Sequence, residues 1–215
     1  MSLRKFLAAA LALLACGGCA PIRHNGEDLS LFRAHAPRSI VVVPAVNEST
    51  EVTAPTVFLS TVTRPLAERG YYVFPVYLTD VLLSDIGLTE AGLIHQMAPQ
   101  RFLDLFNADA VMLITIKDWS TKYLVVQSSV VVDIHYVLKD TRTGLTLWEH
   151  RQPVVHSSGG GNNIIAMAVA AAVNALVTDY RPLAHQANNL AFQPPGGLPA
   201  GPYNPLYERD LARFR

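Results

Sequence analysis

Two thiols stand close together near the start of the chain, Cys16 and Cys19, and they are the only cysteines in its 215 residues. Upstream, Arg4 and Lys5 form a short basic stretch, and Phe6 to Ala15 is an unbroken apolar run that ends in small residues. That order is the order of an export signal, and the apolar run is too short to span a bilayer. A cysteine where a small-residue cleavage site would stand, behind Leu13, Leu14 and Ala15, gives the pattern of a bacterial lipobox, with the thiol as acyl acceptor. Cys16 has Leu13 three residues before it and Ala15 just before it, whereas Cys19 has Cys16 and Gly18 there. Local spacing therefore favours Cys16, with Cys19 the alternative. A disulfide between two cysteines this close would staple nothing in a fold. Neither Gly17 nor Ala20 is the aspartate that tends to retain such proteins at the inner membrane, so the expected location is the outer membrane, with the domain facing the periplasm. Acyl chains contribute ~0.8 kcal/mol per buried methylene, enough for stable attachment without a spanning helix.

The remaining residues with chemical potential are less organised. Seven histidines are scattered, with no pair at i, i+4 and no His-Glu-x-x-His, so no metal site is expected. Ser157 and Ser158 lack the Gly-x-Ser-x-Gly elbow of an exposed nucleophile, and His156 beside them is adjacency in sequence rather than triad geometry. Gly159-Gly160-Gly161 before a helix resembles a phosphate cradle, but no Lys-Ser/Thr follows, and a hinge is the expected reading. Asp133 and His135 share one face of a strand and form a candidate polar pair. No catalytic residue, metal or cofactor is assigned. A periplasmic hydrolase or small-ligand-binding protein remains the alternative, distinguished by a deep pocket where Asp133, His135 or His156 would converge.

These residues need a scaffold, and the composition supplies one. Half the residues are hydrophobic and 16% are charged, ample for one packed core and low in charge for a monomer surface. The 17 basic and 17 acidic residues balance, and no charge block calls for nucleic acid. We divide the chain into a signal over residues 1–15 (1–18 if Cys19 is the acceptor), a tether over 16–37, an α/β domain over 38–192 and a Pro/Gly-rich tail over 193–215, lying on the surface or on a partner.

Within the domain, Ser39 to Pro44 is a β-branched run suited to a strand buried on both faces. A helix is expected from Thr56 to Arg69, kinked or broken near Pro65 and capped by Gly70, then a second strand over Tyr71–Val76. Strand, helix, strand implies a parallel pair with a crossover. Short helical turns follow over Thr79–Leu88 and Thr89–Met97, then a helix over Pro99–Phe106 and a third strand over Ala110–Ile116. Leu124 to Lys139 alternates apolar and polar residues as one long strand with one wet face. The Asp140–Gly144 turn returns it as Leu145–Gln152. Ile164–Val177 is an Ala-rich helix, continued by Leu183, Ala187 and Leu190 as an amphipathic stretch. The expected fold is α/β: a single mixed-sheet sandwich of strand-helix-strand units, then an antiparallel hairpin and the Ala-rich helix.

Phe32-Arg33-Ala34 with Pro37-Arg38-Ser39-Ile40, the stretch Leu59 to Val76, and Gly201-Pro202-Tyr203-Asn204-Pro205 together resemble the bacterial lipoprotein family typified by the neisserial genome-derived-antigen lipoprotein. The resemblance covers nearly all of the mature chain. It implies an α/β sandwich like the N-terminal domain of TolB, an outer-membrane lipid anchor, dimers as homo-oligomers, and a CsgG-like lipoprotein as partner. No enzyme activity comes with it. Family members usually carry one lipobox cysteine followed by Ala, which favours Cys19 where the local spacing favours Cys16. The function expected is a non-enzymatic subunit or accessory of an envelope assembly or secretion system.

Overall fold

The computed structural model describes residues 29–124, 127–157, 180–194, 197–207 and 209–210. Cys16, Cys19, the glycine run 159–161 and the Ala-rich segment Ile164–Val177 lie outside the described residues. Six strands form one mixed sheet: β1 (Ser39–Val42), β2 (Val46–Asn47), β3 (Tyr72–Val73), β4 (Ala110–Leu124), β5 (Gln127–Asp140) and β6 (Thr146–Ser157). Their order is β3-β1-β4-β5-β6, with β2 pairing on β4 beyond the end of β1. β1 runs parallel to both β3 and β4, while β4, β5 and β6 form an antiparallel meander. The described helices are α1 (Ser30–His35), α2 (Ala54–Glu68), α3 (Val76–Asp85), α4 (Ala91–Gln96), α5 (Gln100–Phe106) and α6 (Arg181–Phe192).

The apolar run of β1 is buried on both faces, as its sequence predicts. Ile40 and Val42 enter a large core with Phe58, Val62 and Leu66 of α2 and Ala187 and Phe192 of α6. Val41 and Val43 enter a smaller core on the other face, with Leu83, Ile94 and Phe102 of α3, α4 and α5. Along β5 the alternation holds: Val130, Val132, Ile134, Tyr136 and Leu138 are buried in the large core. An aromatic cluster ties the layers together, since the Tyr136 ring lies 5.3 Å from Phe192 and 6.1 Å from Phe58. The Tyr136 hydroxyl donates to Asn188 Oδ1 at 3.0 Å, and Asn188 Nδ2 to Thr61 Oγ1 at 2.9 Å, so this buried polar chain is satisfied.

Several expectations are corrected. α2 passes through Pro65 unbroken, since one missing N–H is outweighed by the burial of Phe58, Val62 and Leu66 on the same face. The second strand is only Tyr72–Val73, because the chain after Pro75 turns into the ten-residue α3, longer than the single turn expected. β4 continues past Ile116 to Leu124, across an irregularity at Ile116/Asp118. The long alternating stretch is not one strand, because Leu124 ends β4 and pairs with Gln127 at the start of β5. On α6, Leu190 faces solvent, and the buried set is Leu183, Ala184, Ala187, Asn188, Ala191 and Phe192. The end of the proposed tether is folded, since α1 buries Phe32 and follows the buried Leu29.

The largest correction concerns the tail. Leu198, Ala200 and Gly201 are buried against the chain's own domain rather than extended on its surface. Gly201 N–H donates to Arg69 O at 2.7 Å, Tyr203 N–H to Gly70 O at 3.0 Å and Asn204 Nδ2 to Glu68 O at 3.0 Å. The carbonyls at the end of α2 would otherwise lack partners, and the tail supplies them. Gly70 has φ +87°, and a Cβ on Gly201 would lie 2.4 Å from Gly70 O, so two glycines are required where the segments touch.

Candidate functional site

The described residues form a polar cleft of about 460 Å³ at the end of the sheet where β4 begins, lined by His35, Ala36, Arg38, Asp109, Arg142, Pro202 and Tyr207. Five separate stretches supply it: the end of α1, the entry to β1, the head of β4, the β5–β6 turn and the tail. Asn107 adopts φ +51° to end α5, which delivers Asp109 to the head of β4 beside β1. Asp109 Oδ2 accepts from the Arg38 amide at 3.0 Å, the Ser39 amide at 3.2 Å and the Ser39 hydroxyl at 3.2 Å. Its Oδ1 accepts from Arg142 Nη1 at 3.0 Å, and its own amide donates to Ser39 Oγ at 2.9 Å. Burial alone would raise its pKa, but the Arg38 amide, the Arg142 guanidinium and the Ser39 donors together hold it below the usual carboxylate range.

Asp140 sits next to this group at the end of β5. Its Oδ1 accepts from the Arg142 amide and from the amide and hydroxyl of Thr143, while Oδ2 lies 3.0 Å from His35 Nδ1. Burial again opposes ionisation, and again it is outweighed, first by the two Thr143 donors and then by His35. The turn closes at Gly144, φ +77°, with Thr141 Oγ1 donating to Asp109 O. A general base needs an uncommitted lone pair and a pKa raised toward neutrality. Asp109 and Asp140 have the opposite character, being ionised and engaged by several donors each. Their arrangement ties the end of α1, the entry to β1 and the β5–β6 turn together.

On the far side of the tail a buried ion pair does similar work. Arg69 pairs with Asp210, both nearly inaccessible, and its Nε and Nη2 donate to Leu198 O at 3.0 and 2.7 Å. Asp210 Oδ2 also accepts from the Ala200 amide at 3.0 Å. The Tyr71 hydroxyl donates to Pro199 O, and burial pushes that phenol up, so it stays protonated at any physiological pH.

The candidates named from sequence do not converge on the cleft. Asp133 pairs with Arg151, Nη2 to Oδ2 at 2.6 Å, and His135 Nε2 lies 2.8 Å from Glu149 Oε1, both on the open face of β5 and β6. The side chain of His156 lies outside the described residues. No group of three or more His, Cys, Asp or Glu is placed to hold a metal among the described residues, and no described helix is long and apolar enough to cross a membrane. The cleft residues escaped the sequence because they are brought together from positions 35, 38, 109, 142 and 207. A faint signal existed in Asp109 after the Asn107 helix stop and in the Asp140–Gly144 turn.

The segments around the cleft and the tail, Pro37–Ile40, the end of Leu59–Val76 and Gly201–Pro205, are those in which the family resemblance lay. A family model described as GNA1162-like, a lipoprotein family, matches residues 27–195. The chain belongs to the GNA1162-like lipoprotein family. It is 32% identical over 181 residues to the Neisseria meningitidis lipoprotein NMB1124/NMB1162, covering 84% of each chain. Its fold is similar to the crystal structure of lipoprotein GNA1162 from the same species, with 34% identity and a TM-score of 0.55, over 66% of this chain and all of that one. Membership makes the chain a lipoprotein by family, and the mixed α/β architecture is the fold it shares with GNA1162.

Proposed function

We propose that this GNA1162-like protein is a lipid-anchored outer-membrane protein whose domain faces the periplasm, acting as a non-enzymatic subunit or accessory of an envelope assembly or secretion system. The observation that carries this reading is the cleft, where the carboxylates of Asp109 and Asp140 are engaged by backbone and side-chain donors instead of being left for a substrate. Such a site holds a domain rigid for presentation to a partner. A second copy of the chain and a CsgG-like lipoprotein are the partners proposed. Attachment is through Cys16 or Cys19.

The test is replacement of the two cysteines singly and together, followed by acyl labelling and envelope fractionation. We expect one single replacement and the double replacement to abolish acylation and release a folded periplasmic domain. A double variant that is correctly folded yet stays tightly in the outer-membrane fraction would falsify the lipid as sole attachment.

A further inference from the structure

In the polar cleft the carboxylates are satisfied and the cations are not. Asp109 takes the Arg38 and Ser39 amides, the Ser39 hydroxyl and Arg142 Nη1, while Asp140 takes the donors of its own turn and His35. The Arg38 guanidinium, by contrast, is exposed and has no hydrogen-bond or ionic partner among the described residues. Arg142 gives one N–H to Asp109 and keeps the rest of its fork free, with its side chain 56% exposed. We propose that the cleft binds a single organic carboxylate, held by the guanidiniums of Arg38 and Arg142. Binding of this kind is independent of the anchor and of any envelope partner, and it asks no catalysis of the cleft.

Shape, charge and room select the class of ligand. A guanidinium presents planar pairs of N–H donors that match the two oxygens of a carboxylate, and such charge-assisted bonds are about twice as strong as neutral ones. Among the fully ionised lining residues, Arg38 and Arg142 against Asp109 leave one positive charge over. Asp140, just behind, is matched by His35 on one oxygen and by turn donors on the other. A monoanion answers that balance, whereas a phosphate group, with more than one charge at neutral pH, overshoots it. At about 460 Å³ the cleft is larger than a bare carboxylate and falls within the range of small-ligand sites, roughly 300–1,000 Å³. Ala36, Pro202 and Tyr207 supply wall for the carbon skeleton that the carboxylate carries. A free small acid and the end of a peptide chain offer the same chemistry, and the length of the probe separates the two.

The frame of this site is set before any ligand arrives. Arg38 springs from backbone whose amide is fixed on Asp109 Oδ2 at 3.0 Å. Arg142 is fixed by its amide on Asp140 Oδ1 at 3.0 Å, by its carbonyl, which accepts from Gln100 Nε2 at 3.1 Å, and by Nη1 on Asp109 Oδ1 at 3.0 Å. A guanidinium already held in this way has little freedom left to lose, so ordering it takes little from the affinity. Asp109 thereby acts as a positioning residue for both arginines.

The experiment is isothermal titration calorimetry on the full-length lipidated chain in detergent micelles at low ionic strength. The probes are N-acetylalanine, N-acetyltrialanine, the C-terminal amide of each, and inorganic phosphate. At least one free acid is expected to bind about tenfold more tightly than its own amide. Binding of N-acetylalanine alone assigns the cleft to a free acid, and binding of N-acetyltrialanine assigns it to a chain end; either supports the carboxylate. Failure of both acids to bind overturns the proposal, as does equal affinity for acid and amide, or phosphate binding more tightly than either acid. Arg38→Gln should weaken the acid about tenfold, and because the Arg38 side chain has no partner, circular dichroism and the denaturation midpoint should stay in place. Arg38→Lys keeps the charge without the fork and should recover only part of that loss. Unchanged affinity in a folded Arg38→Gln variant removes the cleft as the site and overturns the assignment.

Discussion

The parallel and antiparallel halves of the sheet are built to different rules. Around β1 and the start of β4 the sheet is covered on both faces, so Ile40 and Met112 lie in one core and Val41 and Val111 in the other. Beyond Ile116 the meander is covered on one face only. Val131, His135, Val137 and Lys139 are half-buried on its open side, and Val155 is exposed. Strands covered twice read as unbroken apolar runs, and strands covered once alternate. On the open face, cohesion comes instead from cross-strand pairs such as Asp133–Arg151 and His135–Glu149. The doubly covered half therefore acts as the rigid body that carries the cleft, the tail and α3.

The largest effects should fall on that body. Ile40→Ala removes a fully buried side chain and is expected to cost about 2–5 kcal/mol, whereas Val155→Ala should stay within ~0.5 kcal/mol. Urea denaturation of the purified protein measures both, and equal losses would break the comparison between the halves. Next comes the tail contact. Gly201→Ala forces a Cβ against the Gly70 carbonyl and is expected to destabilise by about 1–3 kcal/mol, with the loss read from the same denaturation curves.

Acid should act on the cleft next. Asp109 and Asp140 have folded pKa values below the unfolded value of about 3.9, so the folded state binds fewer protons. Their contribution is fully present above that unfolded value and is lost as pH falls through the lower folded values. Thermal stability should thus decline below about pH 4, and Asp109→Asn should lower stability at neutral pH while flattening the decline. An unchanged acid slope in that variant would remove Asp109 from the explanation.

What the sequence made legible follows the same division. β1 was visible because an apolar run between Pro37 and Pro44 has no other use. The burial of alternate β5 residues was visible because Val130 to Leu138 keeps period two. The reversal between Leu124 and Gln127 was hidden, because Val125 and Val126 are β-branched and carry none of the usual turn chemistry. The extension of β4 through Lys117, Asp118 and Ser120 was hidden for a related reason: one open face admits polar residues, so the run ceases to look apolar. The tail misled because proline and glycine mark both loose chain and tight contact, and only the partner, Gly70, tells which. The cleft was barely legible: the Asn107 stop and the Asp140–Gly144 turn marked two of its pieces, but nothing local links Asp109 and Arg142 with His35 and Tyr207.

The smallest expected effect concerns the outer edge of β6. A proline cannot donate into the ladder with β5, so at its register opposite Asp133 it must occupy a position whose N–H would point away from the sheet. Replacing it with alanine restores an outward donor in a twelve-residue edge strand without removing any bond to β5. Folding stability should then change by less than about 0.5 kcal/mol, yet the restored edge can accept another strand. Pro153→Ala is accordingly expected to leave the denaturation midpoint in place while light scattering shows association that rises with concentration. If the variant neither associates nor loses stability, the open half needs no protection at this edge, and the difference between the two halves reduces to how many faces each has covered.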